Sequence, residues 1–288
     1  MRRFELIEPT TLAEASRCLA DDPEAKAIGG GTALLILIKH GVYLPGTLVN
    51  LKKIAGAGEI GLDDDGWLRI GGLASIGEVE RNPLVRERYP VLAAACHVVA
   101  NVRIRNLATI GGNVAHGDHQ SDPPAALVAH DARVVLGGTD GVRELPLGEF
   151  QLGGYETALE PGELVVALRL PPPEPGWQGA YLKFTTRSSE DRPAVGVAAR
   201  LRIEDGRITD SRLVVGAVAA TPARIEAAEA AALDQSPGPE LFAAMGAAVA
   251  GALDPIDDIR GSGEYKRRIA TVIAERALWA SLASGGVA

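Results

Sequence analysis

Two glycine turns of the same layout constrain this chain more than any other feature: "AIGGGTALL", around Gly29, Gly30 and Gly31, and "ATIGGNVAH", around Gly111 and Gly112. Each follows an apolar residue and is followed by a small polar one. Backbone without Cβ can turn several N–H groups into one concavity, and such a nest binds phosphate. In the first turn Thr32 is placed to cap a helix from Ala33 to His40, which Gly41 can end in the left-handed conformation. That helix would add the partial positive charge of its N-terminus. One such turn is compatible with an ordinary tight turn, but a pair favours a diphosphate held between the two. Other phosphate signatures are missing: Leu34 stands where a dinucleotide fingerprint needs its last glycine, and no Gly-Lys-Ser/Thr sequence exists.

The flanking sequence reads as short alternating elements. "RRFELIEP" predicts a strand, and Thr11 with Glu14 forms a capping box ahead of a helical stripe of Leu12, Ala15 and Leu19. A β-α-β-α run ends in the strand "TLVNLK". Further on come a strand, a short helix after Ser75, and a longer helix from about Pro90 to Ala100. After the second glycine turn, Pro123 and Pro124 begin a helix, and the strands "ARVVL" and "GELVVALRL" follow. Five of the six residues from Pro171 to Gly176 are proline or glycine, which marks a domain boundary. Beyond it, three apolar/polar alternations predict an antiparallel sheet with Glu204-Asp205-Gly206 as a hairpin turn, and a helical tail starts at Thr221-Pro222.

At 288 residues the chain is long for one core. The expected division is 1–55, 56–175 and 178–288, in an α+β architecture. A net charge of −8 opposes attraction to nucleic acid and anionic membranes. Glu5 and Glu8 interrupt the apolar stretch a signal peptide needs, and the longest apolar run, Ala33 to Ile38, is far short of the ~20 residues that span a bilayer. A cytoplasmic protein without a transmembrane segment is expected. Only Cys18 and Cys96 are present, so an iron–sulfur cluster or cysteine zinc site within this chain is nearly excluded.

Taken with "IRNLATIGGNVAHGDHQSDPPAALVAHDARVVL", "YLKF" and "DDIRGSGEYKRRIA", the first turn makes the chain resemble the FAD-binding medium subunit of the molybdenum hydroxylases, the group of xanthine dehydrogenase and aerobic carbon monoxide dehydrogenase. The likeness runs from about Phe4 to the C-terminal helix. It implies a two-subdomain FAD-binding domain of the vanillyl-alcohol oxidase type, followed by a C-terminal domain with a three-stranded antiparallel sheet and a helical bundle. It also implies that Lys26, Ala27, Ile28, Gly29, Gly30, Gly31, Thr32, Ala33 and Leu34 wrap the FAD diphosphate and ribose. Ala100 would stand against the cofactor, and Thr109, Ile110, Gly111, Gly112 and Asn113 would form a second diphosphate loop. Ser121 and Asp122 match a cofactor-binding pair, and Lys183 matches a lysine beside the flavin. The chain departs from the family after Lys183, where "TTRSSEDRPAV" replaces an Arg-rich segment.

The implied partners are a small subunit carrying 2Fe–2S clusters and a large molybdopterin subunit, together an (αβγ)2 heterohexamer in which electrons reach FAD and leave to NAD, a quinone or oxygen. Two other readings stay open: a self-contained FAD oxidoreductase of the related vanillyl-alcohol oxidase or cell-wall-precursor reductase type, and a scaffold without flavin. No metal site is expected, since His116, Asp118, His119 and Asp122 read as a polar loop beside the cofactor. His40 reads as a helix C-terminal residue and His97 and His130 as packing residues. Lys266, Arg267, Arg268 and Arg276 are expected on a solvated or subunit-facing surface, and Cys96 as a small buried residue. No nucleophile or catalytic residue is assigned, because in electron transfer the cofactor carries the reactivity.

Overall fold

The protein is described by a computed structural model covering residues 3–284. Strand β1 (Glu5–Ile7) leads into helix α1 (Leu12–Asp21), whose start is set by the expected capping box: the Glu14 amide donates to Thr11 Oγ1 at 3.2 Å and the Thr11 amide to the Glu14 carboxylate at 3.3 Å. Strand β2 (Lys26–Ile28), helix α2 (Leu34–Lys39) and strand β3 (Thr47–Asn50) follow, and the three strands form a parallel sheet in the order β1-β3-β2. Leu12 and Leu19 of α1 pack with buried Ala15 and Val49 beneath it. The first glycine turn therefore leaves the carboxyl end of a parallel strand, the end at which such sheets bind ligands.

Strands β4 (Ile60–Leu62) and β5 (Leu68–Gly71) precede a run of short helices: α3 (Ile76–Arg81), α4 (Pro83–Arg88), α5 (Pro90–His97), α6 (Val102–Arg105), α7 (Ile110–His116) and α8 (Pro123–Ala129). The sequence reading had one helix before Pro90 where there are two. Asn82 starts the additional one, its Oδ1 accepting the Leu84 amide at 3.0 Å with Pro83 in the first turn. Strands β6 (Arg133–Gly138) and β7 (Gly141–Pro146), helix α9 (Leu147–Phe150), the small hairpin of β8 (Gln151–Gly153) and β9 (Glu156–Thr157), and strand β10 (Leu164–Leu170) complete this part. They build an antiparallel sheet in the order β4-β5-β10-β6-β7, with β10 at its centre.

Past the proline stretch lie β11 (Trp177–Phe184), β12 (Val195–Glu204), β13 (Arg207–Gly216) and β14 (Ala223–Arg224), then α10 (Glu226–Ala232), α11 (Pro239–Ala252) and α12 (Gly263–Ser284). The sheet has four strands rather than three, because β14 pairs with Val214 and Val215; two residues are too few to show an alternation. The expected hairpin is present, with Asp205 and Gly206 at φ +49° and +75°. Val197, Ala199, Leu213 and Val215 pack with Phe242, Met245, Ala274 and Leu278 in one core.

Packing divides the chain into two compact units that interleave in sequence: residues up to Val79, Val102–Gly117 and Ala132–Pro171 form one, while Glu80–Asn101, Asp118–Asp131 and everything after Pro171 form the other. Two expectations, Lys266 at the surface and His97 as a packing residue, are corrected. Lys266 is wholly buried, donating to the Ile256 carbonyl at 2.9 Å and paired with Asp258 at 2.8 Å, whereas His97 is exposed and bonds Glu80 at 2.8 Å. His130 and Cys96 are buried, as expected.

Candidate functional site

The two glycine turns meet within the first unit. They line one groove of about 990 Å³, counted to its open mouth, whose walls include every residue from Lys26 to Leu34 together with Thr109, Gly111, Gly112 and Asn113. What forbids side chains here is first of all the protein's own backbone. A Cβ on Gly30 would run into the Leu107 carbonyl oxygen and lie 2.8 Å from the Ala108 Cα; one on Gly29 would meet Thr109 Oγ1 at 2.9 Å, and one on Gly111 the Gly72 oxygen at 2.6 Å. The bare backbone lets the two turns close on their neighbours and share a groove.

The two turns offer different chemistry. In the first, the amides of Gly30, Gly31, Thr32 and Ala33 donate to no protein acceptor among the described residues, and Gly31 takes φ +72°. Thr32 does not cap the helix: Ala33 is the N-cap residue, without a side-chain hydrogen bond, and α2 has only six residues. Free amides rather than a long helix dipole are what this turn offers an anion. In the second, α7 begins at Ile110; Thr109 Oγ1 accepts the Gly112 amide at 3.2 Å, and the amides of Ile110, Gly111 and Asn113 donate to the carbonyls of Ala74, Gly72 and Thr109, each at 2.9 Å. This segment is a capped helix start whose N–H groups are already engaged. Ile110 leaves the lining altogether, being fully buried.

A nucleotide diphosphate fits the first turn. Four unengaged N–H donors are joined by Lys26, whose ammonium lies 5.8 Å from the Tyr43 ring centroid, and hydrogen bonds to a charged group are each worth roughly 1.5–3 kcal/mol. Leu73, Leu164 and Val165 supply an apolar wall to the same groove.

The remaining expected residues lie in the second unit. Asp122, directly before α8, is 4% exposed; its Oδ1 accepts from the Tyr181 hydroxyl at 2.9 Å and its Oδ2 from Lys183 Nζ at 3.0 Å. Lys183 also donates to the Val98 carbonyl at 2.8 Å. Burial pushes the Asp122 carboxyl up to about 6 against the pull of Lys183, and burial likewise holds the Tyr181 hydroxyl well above its ordinary value, so it stays a donor. Asp122 is thus occupied by two side chains of its own chain. Ala100 takes φ +42°, a left-handed conformation that residues other than glycine, asparagine and aspartate rarely adopt. Ala100→Gly is expected to stabilise the fold by about 0.5–1 kcal/mol; an unchanged or lower urea midpoint would show that the methyl group is needed there. Among the described residues, no three His, Cys, Asp or Glu side chains are placed to hold a metal ion.

Residues 2–173 match the sequence profile described as the FAD binding domain in molybdopterin dehydrogenase, and residues 180–281 match the CO dehydrogenase flavoprotein C-terminal domain. The chain belongs to that family. It is 32% identical to the carbon monoxide dehydrogenase medium chain of Hydrogenophaga pseudoflava over 284 residues, 98% of each chain. It is 30% identical to the xanthine dehydrogenase FAD-binding subunit of Escherichia coli O157:H7 over 277 residues, 96% of this chain and 95% of that one. A solved structure of carbon monoxide dehydrogenase from Hydrogenophaga pseudoflava, which lacks the Mo-pyranopterin moiety of the molybdenum cofactor, superposes with a TM-score of 0.94 at 34% identity, covering 98% of both chains. The cofactor of this oxidoreductase flavoprotein subunit is FAD, and no described helix is long and apolar enough to cross a membrane.

For this medium subunit the sequence reading missed Tyr181, although the signal was present: in "YLKF" on β11, Tyr181 and Lys183 are two apart and share one face of the strand. Gly72, Leu73, Leu164 and Val165 carry no local signal and reach the groove only through sheet pairing. The raised Asp122 carboxyl has a further consequence. Because its native value lies above the unfolded value of about 4, it favours the folded state most below pH ~4, and that advantage is lost as pH rises through about 6. The stability of the wild type relative to Asp122→Asn is therefore expected to fall between pH 4 and 6 and then level off in urea titrations. A difference that rises with pH would overturn this assignment.

Proposed function

We propose that this chain is the electron-transfer subunit of a molybdenum hydroxylase complex, with Lys26–Leu34 binding the FAD diphosphate and the Thr109–Asn113 helix start closing the same groove. The observation that carries the reading is the set of free amides at Gly30, Gly31, Thr32 and Ala33, held in one groove with Gly111 and Gly112. Bound FAD supplies the redox link between the 2Fe–2S clusters of a partner small subunit and a final acceptor, which is NAD, a quinone or oxygen. This chain's two cysteines cannot ligate such a cluster with thiolates alone, so the clusters, like the molybdopterin, are proposed to sit on partners in an (αβγ)2 assembly.

In the second unit, Asp122 and the Val98 carbonyl fix Lys183 in one rotamer, where its third N–H stays available. We assign Lys183, with Ala100, Ser121 and Asp122, to the flavin end of the cofactor. A fixed cation there favours the more negatively charged, reduced form, so Lys183→Met is expected to lower the flavin midpoint potential; an unchanged potential would remove Lys183 from this role. The complex is tested by purification from its native host with metal analysis: molybdenum and iron should co-elute with the chain and FAD. Turnover of an organic substrate by the isolated flavoprotein would instead select the self-contained oxidoreductase.

A further inference from the structure

The second unit has a cavity of about 630 Å³ at the start of α5, the end of α8 and the start of β11. Arg200 lines it. The side chain belongs to a residue only 7% exposed, yet no carboxylate pairs with it among the described residues, where its one hydrogen bond runs from Nη1 to the Ala129 carbonyl at 2.6 Å. The acids nearest in charge are taken: Asp131 pairs with Arg212 at 3.2 Å, and Asp210 with Arg212 at 2.5 Å. A second buried group opens on the same cavity. His130 is 3% exposed, packs edge-on against Tyr89 with ring centroids 5.4 Å apart, and its buried Nε2 has no hydrogen-bond partner among the described residues.

A buried guanidinium without a counter-ion is destabilising unless something joins it. Trp177 holds the Arg200 guanidinium in place, with the charge centre 4.2 Å from the ring centroid. Nη1 is used on Ala129, which leaves the Nε–Nη2 edge, the geometry that takes a carboxylate bidentately. We propose that this cavity is a binding site for a small organic monocarboxylate, with the carboxylate on the free edge of Arg200 and an apolar body against Val91 and Trp177. The choice of a single negative charge follows from the lining: Arg200 offers one free guanidinium edge, while Glu87 and Glu174, the latter paired with Arg202, line the same cavity and would repel the second charge of a dianion such as phosphate. This site is separate from the FAD reading and stands without it.

The test uses the full chain loaded with FAD and benzoate as probe, followed by calorimetry. Saturable binding at millimolar concentration or tighter is expected, with an unchanged flavin spectrum and at least tenfold weaker binding in Arg200→Lys, which keeps the charge but loses the fork. Inorganic phosphate should bind at least tenfold more weakly than benzoate. Crystals soaked in 4-iodobenzoate should show the iodine anomalous peak beside Trp177, and this arm decides the matter if Arg200→Lys fails to fold. No saturable binding, equal affinity in Arg200→Lys, phosphate binding as tight as benzoate, or iodine elsewhere would each overturn the proposal.

Discussion

Gly30→Ala is expected to yield a purified protein without its yellow colour. The added methyl group would overlap the Leu107 carbonyl oxygen and crowd the Ala108 Cα, both backbone atoms that cannot rotate away. Either the first turn lifts or the Leu107–Ala108 segment retreats, and both movements spoil the groove that the free amides of Gly30, Gly31, Thr32 and Ala33 share with Thr109. Overpacking of this kind costs roughly 1–3 kcal/mol of stability. Misplacing two or more charge-assisted hydrogen bonds would weaken FAD binding by about 3 kcal/mol or more, at least a hundredfold. Gly46→Ala is the control: its Cβ meets nothing within 4 Å, so stability and FAD content should stay within about 0.5 kcal/mol of wild type. Absorbance near 450 nm per chain, with a urea midpoint for each variant, measures both effects. Full FAD content in Gly30→Ala would show that the groove tolerates a wider separation than its geometry implies.

Lys183→Met is expected to be the most destabilising substitution in the second unit at pH 8. It strands the Asp122 carboxylate in a site 4% exposed and leaves the Val98 carbonyl without its donor. Removing one partner of a buried ion pair typically costs about 3–5 kcal/mol, because the remaining charge is desolvated and uncompensated. Asp122→Asn should cost a comparable amount by stranding the cation. The double variant Asp122→Asn/Lys183→Met should recover much of the loss, since two neutral groups of similar shape need no counter-charge. Urea unfolding of the four proteins closes the cycle, and losses that simply add would mean that the pair is not coupled. Gly196→Ala acts on the same cluster from its other side: a Cβ there would overlap the Tyr181 hydroxyl, displacing the second donor to Asp122.

Much of this protein was legible in local pattern. The Thr11/Glu14 capping box, the Asp205-Gly206 hairpin and the glycine turns are short-range features, in which a few adjacent residues settle the backbone by sterics and hydrogen bonding. Their residue types also pointed to a diphosphate and, with the longer motifs, to the family. Tertiary structure decided what those residues do. It showed that Gly30 and Gly111 are bare because other backbone segments press on them, and that the amides of one turn are free while those of the other are engaged. It buried Ile110 and Lys266, joined Tyr181 to Asp122, and left Arg200 without a counter-ion among the described residues. Each of these outcomes depends on which segment, distant in sequence, arrives against a given residue. Local propensity carries no information about that, because long-range pairing is set by the packing of the whole chain.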